Sequence, residues 1–157
     1  NTRALEQRGI LCPKVIAVYR IPSIERDCVY YSPLAGNTVR QLQGTSEETD
    51  SLRFQLGGYF AQLHEKGVYF RSLHFGNVVL TPDGHLGLID IADLRCQKRS
   101  LSDSKRLRNF AHLLRYKEDR QWLLGQDAGD TFIEGYRQAL PSNRQAPLIS
   151  RLRPLLA

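Results

Sequence analysis

The sequence predicts an α+β domain in which helices dominate. Three observations carry that class. Two β-rich runs, "KVIAVYRI" and "DCVYYSPL", are separated only by the turn-like "PSIER", which is the layout of an antiparallel hairpin. A long amphipathic stretch follows, "SEETDSLRFQLGGYFAQLHEKG", with Leu52, Leu56, Phe60 and Leu63 on one helical face. A second short pair, "NVVLT" and "LGLIDI", is joined by the strong turn signal "PDGH", and helical patterns fill the remainder of the chain.

Taken in order, "TRALEQRGILCP" reads as the end of a helix, stopped by Gly9 with Pro13 just beyond. After the first hairpin, "AGNTVRQLQG" reads as a loop and a short helix ending at Gly44. The long helix has an acidic start that suits the helix dipole, and Gly67 ends it. Gly57 and Gly58 weaken it locally, so close packing against a neighbour is expected there. "SDSKRLRNFAHLLRY" opens on the cap candidates Ser102 and Asp103 and carries Leu107, Phe110, Leu113 and Leu114 on one face. "AGDTFIEGYRQAL" is a further helix, and the Pro-containing tail "PSNRQAPLISRLRPLLA" is partly helical. No internal repeat, low-complexity tract or flexible linker divides the chain.

The 157 residues fit one domain or one large lobe of a bigger protein, and 41% of them are apolar, enough for a real core. Apolar runs such as "VIAV" are far too short to span a bilayer, and no signal peptide is visible. The chain holds no methionine, which is expected of a fragment or a processed protein. Cys12, Cys28 and Cys96 have no metal-ligand spacing and read as ordinary thiols of a reducing cytoplasm. The net charge of +6 points to an anionic partner or to a solvated basic face, with much of the excess between Arg95 and Arg120. No motif or interleaved aromatic pattern supports nucleic acid.

Chemistry concentrates in "VYFRSLHFGNVVLTPDGHLGLIDIADL", Val68 to Leu94. Asn77 and Asp90 stand at the start of one strand and the end of the next, so a hairpin makes them neighbours. An amide oxygen and a carboxylate placed so can share one Mg²⁺, a cation that accepts sparse oxygen-only ligation with phosphates and waters completing its shell. Asn and Asp are also common turn formers at loop ends, and the pair alone does not decide between the two.

The order of residues is more specific. "FRSLHFGN", Phe70 to Asn77, followed by Asp90-Ile91-Ala92, resembles the H-R-D-L-x-x-x-N and D-F-G motifs of protein kinases. The "L-H-x-G-N" ending is similar to small-molecule and sugar kinases of that fold, and "LHEKGV" resembles the helix end that precedes their catalytic loop. "CVYYSPLAGNTVRQL" resembles their strand–hinge–helix passage. The chain is therefore identified as a protein-kinase-like C-terminal lobe, most similar to the bacterial lipopolysaccharide-core (Kdo and heptose) kinases and the "toluene tolerance" group. The resemblance implies residues 1–35 as a remnant of the N-terminal lobe with the hinge, and 36–157 as the helical lobe. It implies Asn77 and Asp90 as Mg²⁺ ligands and His74 near the transferred phosphate. Arg71 would tie the loop to the segment after Asp90, and Asp103 would cap its helix and brace the loop. Tyr31, Ser32 and Leu34 would meet the adenine, with Leu80 or Ile89 flooring that pocket. It implies ATP as cosubstrate and an anionic sugar or glycolipid as acceptor. The expected location is cytoplasmic, at the inner face of the bacterial inner membrane.

Two departures bear on activity. Ser72 stands where the proton-accepting aspartate belongs, and a serine hydroxyl has no useful basicity at neutral pH. His74 is either a substitute base or a loop histidine bonded to backbone. No glycine-rich phosphate loop or strand lysine precedes the first hairpin, so ATP binding by this chain alone is expected to be weak or absent. The expectation is a kinase relative impaired in catalysis or lacking it. The alternatives are a pseudokinase with a binding role and, more remotely, a basic scaffold.

Overall fold

The computed structural model describes residues 1–46 and 48–156; Glu47, in the predicted acidic helix start, and Ala157, in the predicted tail, lie outside the described residues. Helix α1 (Thr2–Glu6) is short, buries Leu5, and is followed by Gly9 at φ +62°. Strands β1 (Lys14–Ile21) and β2 (Arg26–Ser32) form the expected antiparallel hairpin, in register from Lys14↔Ser32 to Ile21↔Arg26. The chain then adds a two-residue strand β3 (Asn37–Thr38) and helix α2 (Val39–Leu42). Thr38 and Gln41 cap α2 reciprocally, side chain to backbone in both directions.

Helix α3 (Asp50–Glu65) is the spine of the larger part. The Thr49 hydroxyl accepts from the Leu52 amide at 3.1 Å and satisfies one of the free N–H groups of its first turn. After α3 come β4 (Val68–Phe70), β5 (Val78–Leu80), β6 (Leu86–Leu88) and β7 (Leu94–Cys96). Four helices close the chain: α4 (Asp103–Leu113), α5 (Lys117–Leu124), α6 (Asp130–Gln138) and α7 (Ser142–Leu156). The strands make three small antiparallel sheets, β1-β2, β3-β5-β6 and β4-β7. Leu11 also bridges Gly87 in parallel, and the Leu88 amide donates to the Leu11 carbonyl at 2.9 Å. That bridge ties the segment before β1 to the hairpin that ends at Asp90.

The β4–β7 pair, β3 and helix α5 go beyond the sequence reading. Two- and three-residue strands are too short to display an alternating pattern. Helix α5 opens on five charged or polar residues, which hides the buried Trp122 and Leu123 at its far end. Helix α7 runs unbroken through Pro147 and Pro154, where the sequence predicts only partial helix. Leu148, Leu152 and Leu156, spaced one turn apart and all buried, hold it to the core.

The core centres on the crossing of α3 and α6. A Cβ on Gly57 would overlap the Phe132 carbonyl oxygen and lie 2.6 Å from the Tyr136 amide. A Cβ on Gly135 would overlap the Phe54 carbonyl oxygen, so each helix needs a bare backbone where it meets the other. Around this crossing Phe60, Phe110, Phe132 and Tyr136 pack edge-to-face, with ring centroids 5.0–6.5 Å apart.

A buried polar chain runs through the same core and ends at the candidate loop. An Arg106 Nη donates to the Tyr136 hydroxyl at 3.3 Å, and the hydroxyl meets His64 Nδ1 at 2.8 Å. His64 Nε2 reaches Asn109 Oδ1 at 3.2 Å, and Asn109 Nδ2 donates to the Phe70 carbonyl at 2.6 Å. Because the asparagine nitrogen is used on Phe70, its oxygen accepts from His64, which places the imidazole proton on Nε2. Burial and the nearby Arg106 charge push His64 down to about 3, so it stays neutral. Arg106, fully buried, also pairs with Glu65 at 2.6 Å and donates to the Leu101 carbonyl at 2.9 Å.

Candidate active site

The loop from Arg71 to Asn77 leaves β4 directly beneath that polar chain. The Leu73 amide donates back to the Phe70 carbonyl at 3.2 Å, and a short 3-10 turn at Phe75–Asn77 leads into β5. The turn sits on a buried carboxylate. Asp119 of α5 is 1% exposed; it accepts from the Phe75 amide at 3.3 Å, from Arg40 Nε at 3.0 Å and from Gln43 at 3.3 Å. Arg40 binds it in two-pronged fashion and lies over the Tyr116 ring, its guanidinium carbon 4.8 Å from the centroid. Helices α2 and α5 thereby clamp the loop from below.

Hairpin β5–β6 brings Asn77 and Asp90 to one end. Val78 pairs with Leu88, and the Ile89 amide donates to the Asn77 carbonyl at 3.0 Å, so the two residues flank the last rung. Asn77 is buried, and its Nδ2 donates to the Ser72 carbonyl at 3.0 Å. With its nitrogen so held, Oδ1 is the atom the amide offers to a cation. Asp90 is exposed and has left-handed backbone, φ +50° and ψ +47°, with no cap bond from its side chain. A non-glycine residue held there is uncommon, and such conformations gather at functional sites. An amide oxygen and an exposed carboxylate on adjacent strand ends fit the oxygen-only ligation of Mg²⁺. Among the described residues no group of three His, Cys, Asp or Glu forms a self-sufficient metal cluster.

Asp90 also lines a cleft of about 670 Å³ between hairpin β1–β2 and the Ile89–Ala92 segment. Val15, Val18 and Val29 form its apolar wall, and Tyr31, Pro33, Leu34 and Ile89 line it as well. Ser32 and Leu80 are not among its lining residues. Ser32 pairs with Lys14 at the end of the hairpin, and Leu80 pairs with Asn37 and Leu86 inside the second sheet. A second cleft of about 730 Å³ opens between α3 and Leu86 and contains none of the candidate residues.

His74 Nδ1 accepts from the Gly76 amide at 3.0 Å, which leaves the imidazole proton on Nε2 as a donor. Burial, then the Arg40 charge, lowers its pKa from the ordinary value, with Asp119 and Asp90 opposing; the ring is neutral at physiological pH. Its edge packs on Tyr116 at 5.4 Å. Ser72 donates its hydroxyl to Asp93 Oδ2 at 2.7 Å.

The family model described as "Lipopolysaccharide kinase (Kdo/WaaP) family" matches residues 38–136, well over half of the chain. The chain belongs to this family. Among solved structures its fold is similar to that of "WaaP in complex with acyl carrier protein", with a TM-score of 0.64 at 15% identity, over 99% of this chain and 73% of that one. No curated protein matches by sequence. The family match begins at Thr38, so α1 and hairpin β1–β2 lie outside it but inside the structural match.

Set on this lipopolysaccharide kinase fold, two expectations need correcting. Arg71 is exposed, and it is Ser72 whose side chain reaches the segment after Asp90. Asp103 faces α7, 3.8 Å from Arg144 and 3.7 Å from Arg151; Asn109, two turns further along α4, is the residue that braces the loop. Arg106, Asn109 and Asp119 are silent in the sequence, because single polar residues inside amphipathic helices look like surface positions until their partners are known. Asp93 carried a faint signal, a second acid three residues after Asp90 in "DIAD". No helix is long and apolar enough to cross a membrane.

Proposed function

We propose that this member of the lipopolysaccharide kinase family is the catalytic-loop lobe of an ATP-dependent kinase for sugars of the lipopolysaccharide core. In this reading residues 1–35 belong to the N-terminal lobe and hinge, and residues 36–157 form the helical lobe. The observation that carries it is the oxygen pair at the cleft rim, Asn77 with its amide nitrogen engaged and Asp90 in left-handed backbone. These two residues would hold Mg²⁺, which when bound neutralises phosphate oxygens and draws charge from the transferring group. The cleft lined by Tyr31, Leu34 and Ile89 would take the adenine, with backbone groups around the hinge supplying polar contacts. His74, neutral with Nε2–H free to donate, would touch the transferred phosphate.

The acceptor side is basic. Arg71, Arg95 and Lys105 line a hollow of about 350 Å³ beside the loop, with no carboxylate among its walls. That charge suits an anionic glycolipid presented at the inner face of the bacterial inner membrane. Since phosphoryl transfer depends mainly on positioning and charge stabilisation, replacement of the loop aspartate by Ser72 slows the reaction rather than forbidding it. Ser72 is also the one observation favouring a second reading, a pseudokinase that binds within the envelope pathway without transfer.

The test is transfer of labelled γ-phosphate from ATP to lipopolysaccharide-core oligosaccharides by the full-length protein. Mg²⁺-dependent labelling that disappears in Asp90→Ala supports the kinase. Nucleotide binding without labelling of any core oligosaccharide supports the pseudokinase. Neither binding nor labelling overturns both.

A further inference from the structure

Ser72 is not an isolated replacement. Phe70 pairs with Leu94 across β4–β7, so the residues that leave this last rung, Arg71 and Ser72 on one side and Asp93 on the other, face each other over the loop. The Ser72 hydroxyl takes that opportunity and donates to Asp93 Oδ2 at 2.7 Å. The other carboxylate oxygen, Oδ1, is buried and has no hydrogen-bond partner. A buried carboxylate oxygen left without a donor is costly, and native folds keep such groups mainly where they serve a purpose beyond packing. The carboxylate also sits on the right element. Asp93 ends the short turn that starts at Ile91, immediately after Asp90, and Ile91 and Ala92 line the same cleft as Asp90. Ser72 in turn offers its carbonyl to Asn77. The serine–aspartate pair and the oxygen pair therefore share one loop and one turn.

We propose that Asp93 supplies, through the Ser72 hydroxyl, the proton-accepting carboxylate that the catalytic loop itself lacks. The inference rests on the kinase reading above and deepens it. The acceptor sugar hydroxyl hydrogen-bonds to Ser72 Oγ and attacks the γ-phosphorus of ATP. As the new O–P bond forms, the bond from γ-phosphorus to its bridging oxygen breaks and ADP leaves with that electron pair. The hydroxyl proton passes to Ser72 Oγ, which releases its own proton to Asp93 Oδ2, so the serine ends neutral and the carboxylate protonated. His74 is not available for this task, since Nδ1 already accepts from Gly76 and Nε2 carries the proton. His112 lies within electrostatic reach of both Asp93 and Arg71: burial, Arg115, Arg71 and Arg108 lower its pKa and Asp93 opposes them. Arg71 lines the basic hollow where an anionic acceptor would dock.

The experiment uses the full-length protein with Mg²⁺, labelled ATP and core oligosaccharides as the acceptor probe. Asp93→Asn keeps an oxygen for the Ser72 hydroxyl to bond, so a purely structural contact survives it. The expected result is a fall in kcat of about 100-fold or more, the size typical of losing a proton acceptor, with the KM for ATP changed by less than about threefold. Exchanging the two side chains, Ser72→Asp with Asp93→Ser, returns the carboxylate to the loop and is expected to restore at least about tenfold of the lost kcat. An unchanged kcat in Asp93→Asn overturns the relay and leaves the kinase reading standing. So does a silent wild type beside an active Ser72→Asp variant. Silence in both overturns the kinase reading itself.

Discussion

Replacing His64 by glutamine removes a buried group whose charge state differs between the folded and unfolded chain at mildly acidic pH. The imidazole is 1% exposed, bonded to Tyr136 and Asn109, and held near 3 by burial and Arg106, against an ordinary value of 6.5. Its folded value is lowered, so its neutral form favours folding fully above the unfolded value, and that advantage drains away as pH falls below 6.5 and the unfolded state takes up a proton. Between pH 7.5 and pH 5 the unfolded chain gains nearly one proton at this site while the folded chain gains almost none. Linkage then gives a loss of about 2 kcal/mol over that interval. The figure needs only that the folded value lie well below 5. Urea denaturation of wild type and His64→Gln at both pH values reads it, because groups common to the two proteins cancel in the difference. The wild type should lose about 2 kcal/mol more than the variant on acidification. Parallel pH profiles would refute the neutral, buried imidazole and with it the polar chain that supports Phe70.

The helix crossing gives a second expectation. Gly57→Ala places a methyl against the Phe132 carbonyl and Tyr136 amide, and Gly135→Ala against the Phe54 carbonyl. Each should cost about 1–3 kcal/mol or more through forced separation of α3 and α6, read as a lower Tm, whereas Gly44→Ala, with nothing within 4 Å, strains only its own φ of +78°. Arg40→Ala leaves the Asp119 carboxylate buried with only amide donors. A loss on the order of 2 kcal/mol is expected, below the value for a fully buried pair because Arg40 is partly exposed. Asp119→Asn in the same background should recover part of it in urea denaturation; no recovery would show that packing of Arg40 on Tyr116 is the main term.

The legible part of this fold is the part built from periodicity and turn chemistry. Hairpin β1–β2, helix α3 and hairpin β5–β6 stand where the patterns placed them, and Gly57 meets a neighbour as its position in a helix implies. The loop and the hairpin that carries Asn77 and Asp90 are readable because spacing in sequence becomes adjacency in a tight hairpin. What escaped the sequence is held by contacts between distant segments. Asn109 on Phe70, Asp119 under Phe75 and Asp93 beside Ser72 each join residues from 21 to 44 positions apart. No local pattern encodes such pairings. The kinase resemblance assigns Arg71 and Asp103 tasks that the fold gives to Ser72 and Asn109, because side-chain reach is set by register and helix face.

In the proposed function Asn77 and Asp90 form the cation-dependent nucleotide site of a lipopolysaccharide kinase lobe. Calorimetric titration of the full-length protein with ATP, with and without Mg²⁺ and beside Asp90→Asn, tests it most directly. Binding that requires Mg²⁺ and vanishes in the variant is the expected result. Binding indifferent to Mg²⁺ and to the loss of the Asp90 carboxylate, or no binding at all, would contradict it.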